Sequence, residues 1–221
     1  MRKLFLQRVL STVPAWVAAA ALSGCAVVPP GPELDRLTAD IVKASFRSEA
    51  TAKVERLVQD DANRACSAAD VAGKPLDDNL AAAIRAANLK TIRWPSDARY
   101  IGDWKEGEKI AQSGRGLTWT DPAGQPGGGN CYNCHQIDKK EISYGTLGPS
   151  LYNYGKNRGV ADPYSEASRP VVQYTWGKIW NSRAYSACSH MPRIGHAGIL
   201  NEAELRHVMG LLLDPTSPVN R

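Results

Sequence analysis

The sequence predicts an all-α protein. Apolar residues recur at three- and four-residue spacing at Leu34, Leu37 and Ile41, and again at Leu205, Val208, Met209, Leu211 and Leu212. That is the period of one helix face. No strand–helix–strand pattern is visible between the two stretches. The segment from Leu117 to Arg169 is rich in Gly, Asn, Tyr and Pro, so it cannot easily build a core alone and needs something to fill its middle.

The elements follow in chain order. Residues 1–24 read as an export signal: a positive start (Arg2, Lys3, Arg8), then an apolar run from Val9 to Leu22 that is too short for a comfortable membrane span. The run ends in Leu22-Ser23-Gly24-Cys25. This resembles a bacterial lipobox, in which Cys25 is acylated and becomes the mature N-terminus; the alternative is a plain signal cleaved nearby. Residues 25–95 are expected to be a tether and helical extension. Val27 to Pro32 is Pro-rich and extended. A helical pattern runs from Glu33 to Ser67 with charges of both signs on its other faces. Gly73-Lys74-Pro75 breaks it, and Asp77 or Asp78 caps a further helix through Leu89. Pro95 marks a boundary. In residues 96–221, Asp103 to Ser113 is a short helix ended by Gly114, Val172 to Asn181 is helical, and Asn201 to Glu204 starts a last helix, Glu202 to Leu213.

Charge excludes one class of function. The chain carries 27 Lys and Arg against 22 Asp and Glu, a net +5. Three of the basic residues lie in the export signal, and without them 24 face 22. No basic block remains that could neutralise several phosphates, so no nucleic-acid partner is expected. An exported chain is expected in an oxidising, periplasmic compartment where disulfides persist. Cys66 and Cys188 are an even pair outside the motif below and are expected to bridge, stapling the extension beside the 188–193 loop; unpaired cysteines or a link to a partner are the alternatives.

Cys131-Tyr132-Asn133-Cys134-His135 is C-x-x-C-H, the attachment signature of c-type haem. Two thiols three positions apart on a helical turn face the same way, and each can add to one vinyl group of the porphyrin. His135 then offers a ring nitrogen to the iron. A redox dithiol, or a zinc site completed by Cys188 and His190, is the competing reading. The second axial ligand comes from Met191, His190, His196, His207 or Met209. Met209 lies in the last helix's apolar stripe and His207 toward its exposed side, so both are set aside. Met191 is preferred, with His190 next, because Pro192 stiffens the strand that presents its thioether, and sulfur favours ferrous iron.

Four stretches together resemble the SoxX family, the monohaem cytochrome c subunit of the SoxAX complex of bacterial sulfur oxidation. They are Gly129 to His135, Gly148-Pro149-Ser150-Leu151, Cys188 to His196, and Leu213 to Asn220. The resemblance covers roughly residues 96–220. The extension lies outside it, and Ile194 stands where a phenylalanine is often expected. The resemblance implies a class I-like cytochrome c domain with one covalent haem c and its iron. It implies an electron-transfer subunit of an L-cysteine S-thiosulfotransferase, in which thiosulfate is oxidatively joined to a carrier-protein cysteine. The catalytic step would lie on a SoxA-like mono- or dihaem partner in a heterodimer, and a downstream soluble cytochrome c would take the electrons. Pro149 is expected to accept a hydrogen bond from His135 through its carbonyl, and Arg158, Trp176 and Arg193 to contact haem propionates. Gly107, with Ile110 and Ala111, is expected to bring the first helix of this domain close to Val208 and Leu212 of the last. Two other functions are distinguishable: an independent monohaem carrier serving an oxidase, and a zinc-binding structural lipoprotein.

Overall fold

The computed structural model describes residues 31–221, apart from 123 and 126. The export signal, Cys25 and most of the Pro-rich tether lie outside the described residues. The described chain is all-α, as its periodicity predicts: among the described residues the only β pairing is a single antiparallel bridge between Glu49 and Ala52. The described chain divides after Phe46 into two units, the second running from Arg47 to Arg221.

The first unit contains α1 (Gly31–Ser45). It starts two residues before the expected Glu33, because Pro32 falls in the first turn, where its missing N–H has no helical partner to lose. The expected helix from Glu33 to Ser67 is broken after Ser45. Glu49 and Ala52 exchange backbone hydrogen bonds around Ala50, which sits at a φ of 46°.

In the second unit, α2 (Asp61–Val71) is capped by Asp60, whose carboxylate accepts from the Asn63 N–H at 2.7 Å. Asp77 caps α3 (Asp78–Leu89) in the same way, through Asn79 and Leu80. Asp103 caps α4 (Trp104–Gln112) through Lys105. α5 (Arg169–Trp180) has Pro170 in its first turn. α6 (Glu202–Leu213) begins with a capping box: the Asn201 side chain accepts from the Glu204 N–H, and the Glu204 carboxylate accepts from the Asn201 N–H.

α4 and α6 cross at close range. A β-carbon at Gly107 would lie 2.1 Å from the His207 carbonyl oxygen, and one at Gly210 would lie 2.3 Å from that of Gly102. The crossing is pinned by Gly102 N–H to the Arg206 carbonyl at 2.7 Å and Asp103 N–H to His207 Nδ1 at 3.0 Å. His207 is therefore half-buried with a backbone partner, not solvated as its position suggested. Met209 is fully buried, as expected of the stripe.

α5 supplies the aromatic centre of the core. Trp176 and Trp180 stack at 5.9 Å, and Tyr100 meets Trp176 edge-on at 5.5 Å. Their indole N–H groups, with the buried Asn181 amide, hold the segment that follows α3. Trp176 donates to the Arg93 carbonyl, Trp180 to the Thr91 carbonyl, and Asn181 to Asn88 and the Thr91 hydroxyl. Three buried donors thus find acceptors and are not left unpaired.

The C-terminal Asp214-Pro-Thr-Ser-Pro-Val-Asn220 run is an architectural lock. Asn220 accepts from the Gly155 and Lys156 N–H groups and donates to the Leu212 and Asp214 carbonyls, while Ser217 donates to the Leu211 carbonyl. It satisfies carbonyls at the open end of α6 that have no helical partner.

Cys66, on α2, is disulfide-bonded to Cys188. The bridge closes a very long loop, so the chain-entropy account predicts that replacing both cysteines by serine costs on the order of 4 kcal/mol. Denaturant unfolding of the double variant should show that loss, and thiol titration of the denatured native protein should find neither cysteine.

Candidate haem-attachment site

The attachment motif forms one tight turn, Cys131–Asn133, entered through Asn130 at a left-handed φ of 47°. The entry is fastened to the end of α4 by Gly129 N–H to the Ile110 carbonyl (2.8 Å) and Asn130 N–H to the Ser113 carbonyl (3.0 Å). The Cys131 carbonyl accepts from both Cys134 (3.1 Å) and His135 (2.9 Å). This helical turn carries both cysteines and the histidine within five consecutive residues. Neither thiol is in a disulfide. Burial pushes the Cys131 thiol up to about 11, so it is protonated at neutral pH.

A second strand of chain runs along the motif. Gly145 N–H donates to the Tyr132 carbonyl at 2.8 Å, Gly148 N–H to the Cys134 carbonyl at 2.7 Å, and Leu151 N–H to the Gln136 carbonyl at 2.7 Å. This brings Pro149 under the histidine: His135 Nδ1 lies 2.7 Å from the Pro149 carbonyl oxygen. A carbonyl can only accept, so Nδ1 carries the proton and Nε2 is left with its lone pair free for a metal. The approach needs glycine at 148, because a β-carbon there would lie 2.1 Å from the imidazole Cε1.

Met191 sits in the loop between α5 and α6. Its carbonyl accepts from the buried Ser182 hydroxyl at 2.6 Å, and its N–H donates to the Ser189 hydroxyl at 3.2 Å. Its side chain is half-buried against the same apolar core that Cys131, Ile110 and Leu151 border. The donor set suits a covalently attached haem: two unpaired thiols, an imidazole with one nitrogen already fixed, and a thioether in an anchored loop. The zinc alternative loses a ligand, since the Cys188 sulfur is bonded to Cys66. Among the described residues no three His, Cys, Asp or Glu side chains gather as a metal site.

No protein-family model matches the chain. Over 134 residues it is 37% identical to a protein of Aquifex aeolicus (strain VF5) described as an uncharacterized lipoprotein. The match covers 59% of this chain, and the chain spans about 59% of that relative's length. No helix among the described residues is long and apolar enough to cross a membrane.

The three residues expected at propionates have other partners. Trp176 is 1% exposed, and its indole N–H donates to the Arg93 carbonyl. The Arg158 guanidinium lies 3.7 Å above the Tyr154 ring and donates to the Tyr154 carbonyl. Arg193 pairs with Asp60 at 2.8 Å. Nothing in the sequence singles out Asp60, Ser182 or Arg183 as functional. An Asp pair before a helical run signals a cap, but nothing local shows that the cap carboxylate also binds residues more than a hundred positions away.

Proposed function

We propose that this chain is a periplasmic monohaem c-type cytochrome, the electron-transfer subunit of a SoxAX-type thiosulfotransferase, tethered through lipid on Cys25. The observation that carries the cytochrome reading is His135, next to two unpaired cysteines at C-x-x-C spacing, with Nδ1 on the Pro149 carbonyl. The name of the Aquifex relative supports the lipid tether. The four stretches resembling SoxX support the place in sulfur oxidation.

Cys131 and Cys134 would hold the porphyrin edge by two thioether bonds, which would retain it in a domain whose 117–168 segment offers few helices to grip it. His135 is kept in one tautomer and one ring orientation by the Pro149 carbonyl. Met191 would supply a soft thioether ligand, which favours the reduced state. When bound, the haem iron supplies reversible one-electron transfer. The chain has no part in joining thiosulfate to the carrier cysteine; that step belongs to the SoxA-like partner, and a soluble cytochrome c receives the electrons.

Two measurements test this. Met191→Ala should abolish the weak near-infrared sulfur-to-iron band of the oxidised protein and lower its potential; a surviving band rejects Met191. Purification from the native host should bring down a second haem-bearing chain, and thiosulfate should reduce the haem of that complex. A lone cytochrome unaffected by thiosulfate would instead indicate an independent carrier to an oxidase.

A further inference from the structure

The Met191 loop has two fastenings, and both lead to α2. One is covalent: Cys188, three residues before Met191, is bonded to Cys66. The other is ionic. Asp60 accepts from Arg183 Nη1 at 2.9 and 3.0 Å and from Arg193 Nη2 at 2.8 Å. Arg183 opens the segment that carries Met191, and Arg193 closes it, two residues past the thioether. A single carboxylate therefore ties both ends of the segment together. The Arg183 side chain is only 11% exposed, and it also donates to the Asn63 side chain.

Without the carboxylate, two guanidinium groups would share a partly desolvated space with no anion between them. The neighbouring groups do not replace it. Arg93 adds positive charge close by. His196 is held below its usual pKa, mainly by burial and then by Arg193. For Asp60, burial works to raise the carboxyl pKa, but the Asn63 N–H and the two arginines outweigh it and hold the group ionised.

We propose that Asp60 is a positioning residue for Met191: its carboxylate, shared between Arg183 and Arg193, closes the 183–193 loop and holds the thioether in place. This rests on the reading of Met191 as the sulfur ligand. It makes α2, which lies outside the stretches that resemble SoxX, part of the ligand machinery. Asp60 does not touch the iron; it acts through the two arginines.

The test variant is Asp60→Asn in the oxidised, haem-bearing protein with its disulfide intact. Asparagine caps helices as well as aspartate does, so α2 keeps its cap and only the charge is lost. Hydrogen exchange of the 184–192 amides is expected to quicken about tenfold, while the α4 and α6 amides stay unchanged. Imidazole, titrated against the sulfur-to-iron band, is expected to displace the thioether at about tenfold lower concentration, because a looser loop opposes it less. Asp60→Glu should recover part of both effects. If Asp60→Asn does not fold, Arg193→Gln, which removes one end of the clamp at a half-exposed position, is expected to show the same two changes. Unchanged exchange and unchanged imidazole affinity would overturn the clamp. A native protein without the sulfur-to-iron band would overturn the Met191 ligand instead, and the exchange measurement would still decide whether Asp60 closes the loop.

Discussion

A chain carrying Cys131→Ser and Cys134→Ser is expected to leave a host competent in cytochrome maturation without covalent haem, and so to show no absorption in the pyridine haemochrome assay after acid–acetone extraction. Serine keeps the size and the turn, in which the Cys131 carbonyl accepts from Cys134 and His135, but its hydroxyl does not add to a vinyl group as a thiol does. The His135 imidazole would remain poised on Pro149, yet a single nitrogen ligand holds a porphyrin reversibly. Loss should therefore be complete in the double variant. Each single variant should keep one thioether bond and a band shifted to longer wavelength by the remaining vinyl group. The stability of the whole domain should fall in parallel, because a group bound only by the folded chain stabilises it. Native protein lacking the haemochrome band would sink the cytochrome reading at once.

Gly107→Ala is expected to destabilise the protein by about 3 kcal/mol or more. Two effects oppose each other here. Alanine in a helix interior gains about 1 kcal/mol over glycine through propensity. Against that, its β-carbon would lie 2.1 Å from the His207 carbonyl oxygen and 2.6 Å from the carbonyl carbon. Both belong to the α6 backbone, which cannot turn aside as a side chain can. The helices would have to separate, stretching the hydrogen bonds from Gly102 to Arg206 and from Asp103 to His207. Steric overlap should win by a wide margin. Denaturant midpoints measure this directly, with Lys105→Ala on the exposed face of α4 as a reference expected within about 0.5 kcal/mol of native. A Gly107→Ala protein as stable as the reference would mean that the crossing is looser than described.

Much of the helical architecture was legible because its signals are local. The bounds of α6 follow from Asn201 and Glu204 at one end and the apolar stripe that ends at Leu213. Asp103 and Asp77 announce their helices in the same way, each through a carboxylate that reaches only two or three residues ahead. The close approach at Gly107 was legible as well, since a helix that carries glycine facing another apolar stripe has a reason to come near. The run from Glu33 to Ser67 misled, because its periodicity resumes after a break that Ala50 makes with its own backbone. The position of His207 on α6 points toward solvent, and nothing local shows that the N–H of Asp103 lies against its ring.

For the candidate site the division follows sequence distance. The attachment turn, its histidine and the Pro149 carbonyl lie within twenty residues of one another, so spacing and residue chemistry constrain them before any packing is considered. Trp176 and Arg193 look from the sequence like polar tips free for a cofactor. Folding instead delivers the Arg93 carbonyl to one and Asp60 to the other. Which acceptor meets a buried donor depends on segments that converge only when the core forms, and a donor once desolvated binds whatever acceptor is brought to it. The covalent reach of a few residues can be read along the chain; the pairing of Asp60 with Arg183 and Arg193, and the docking of α2 on the methionine loop, exist only once the chain has closed on itself.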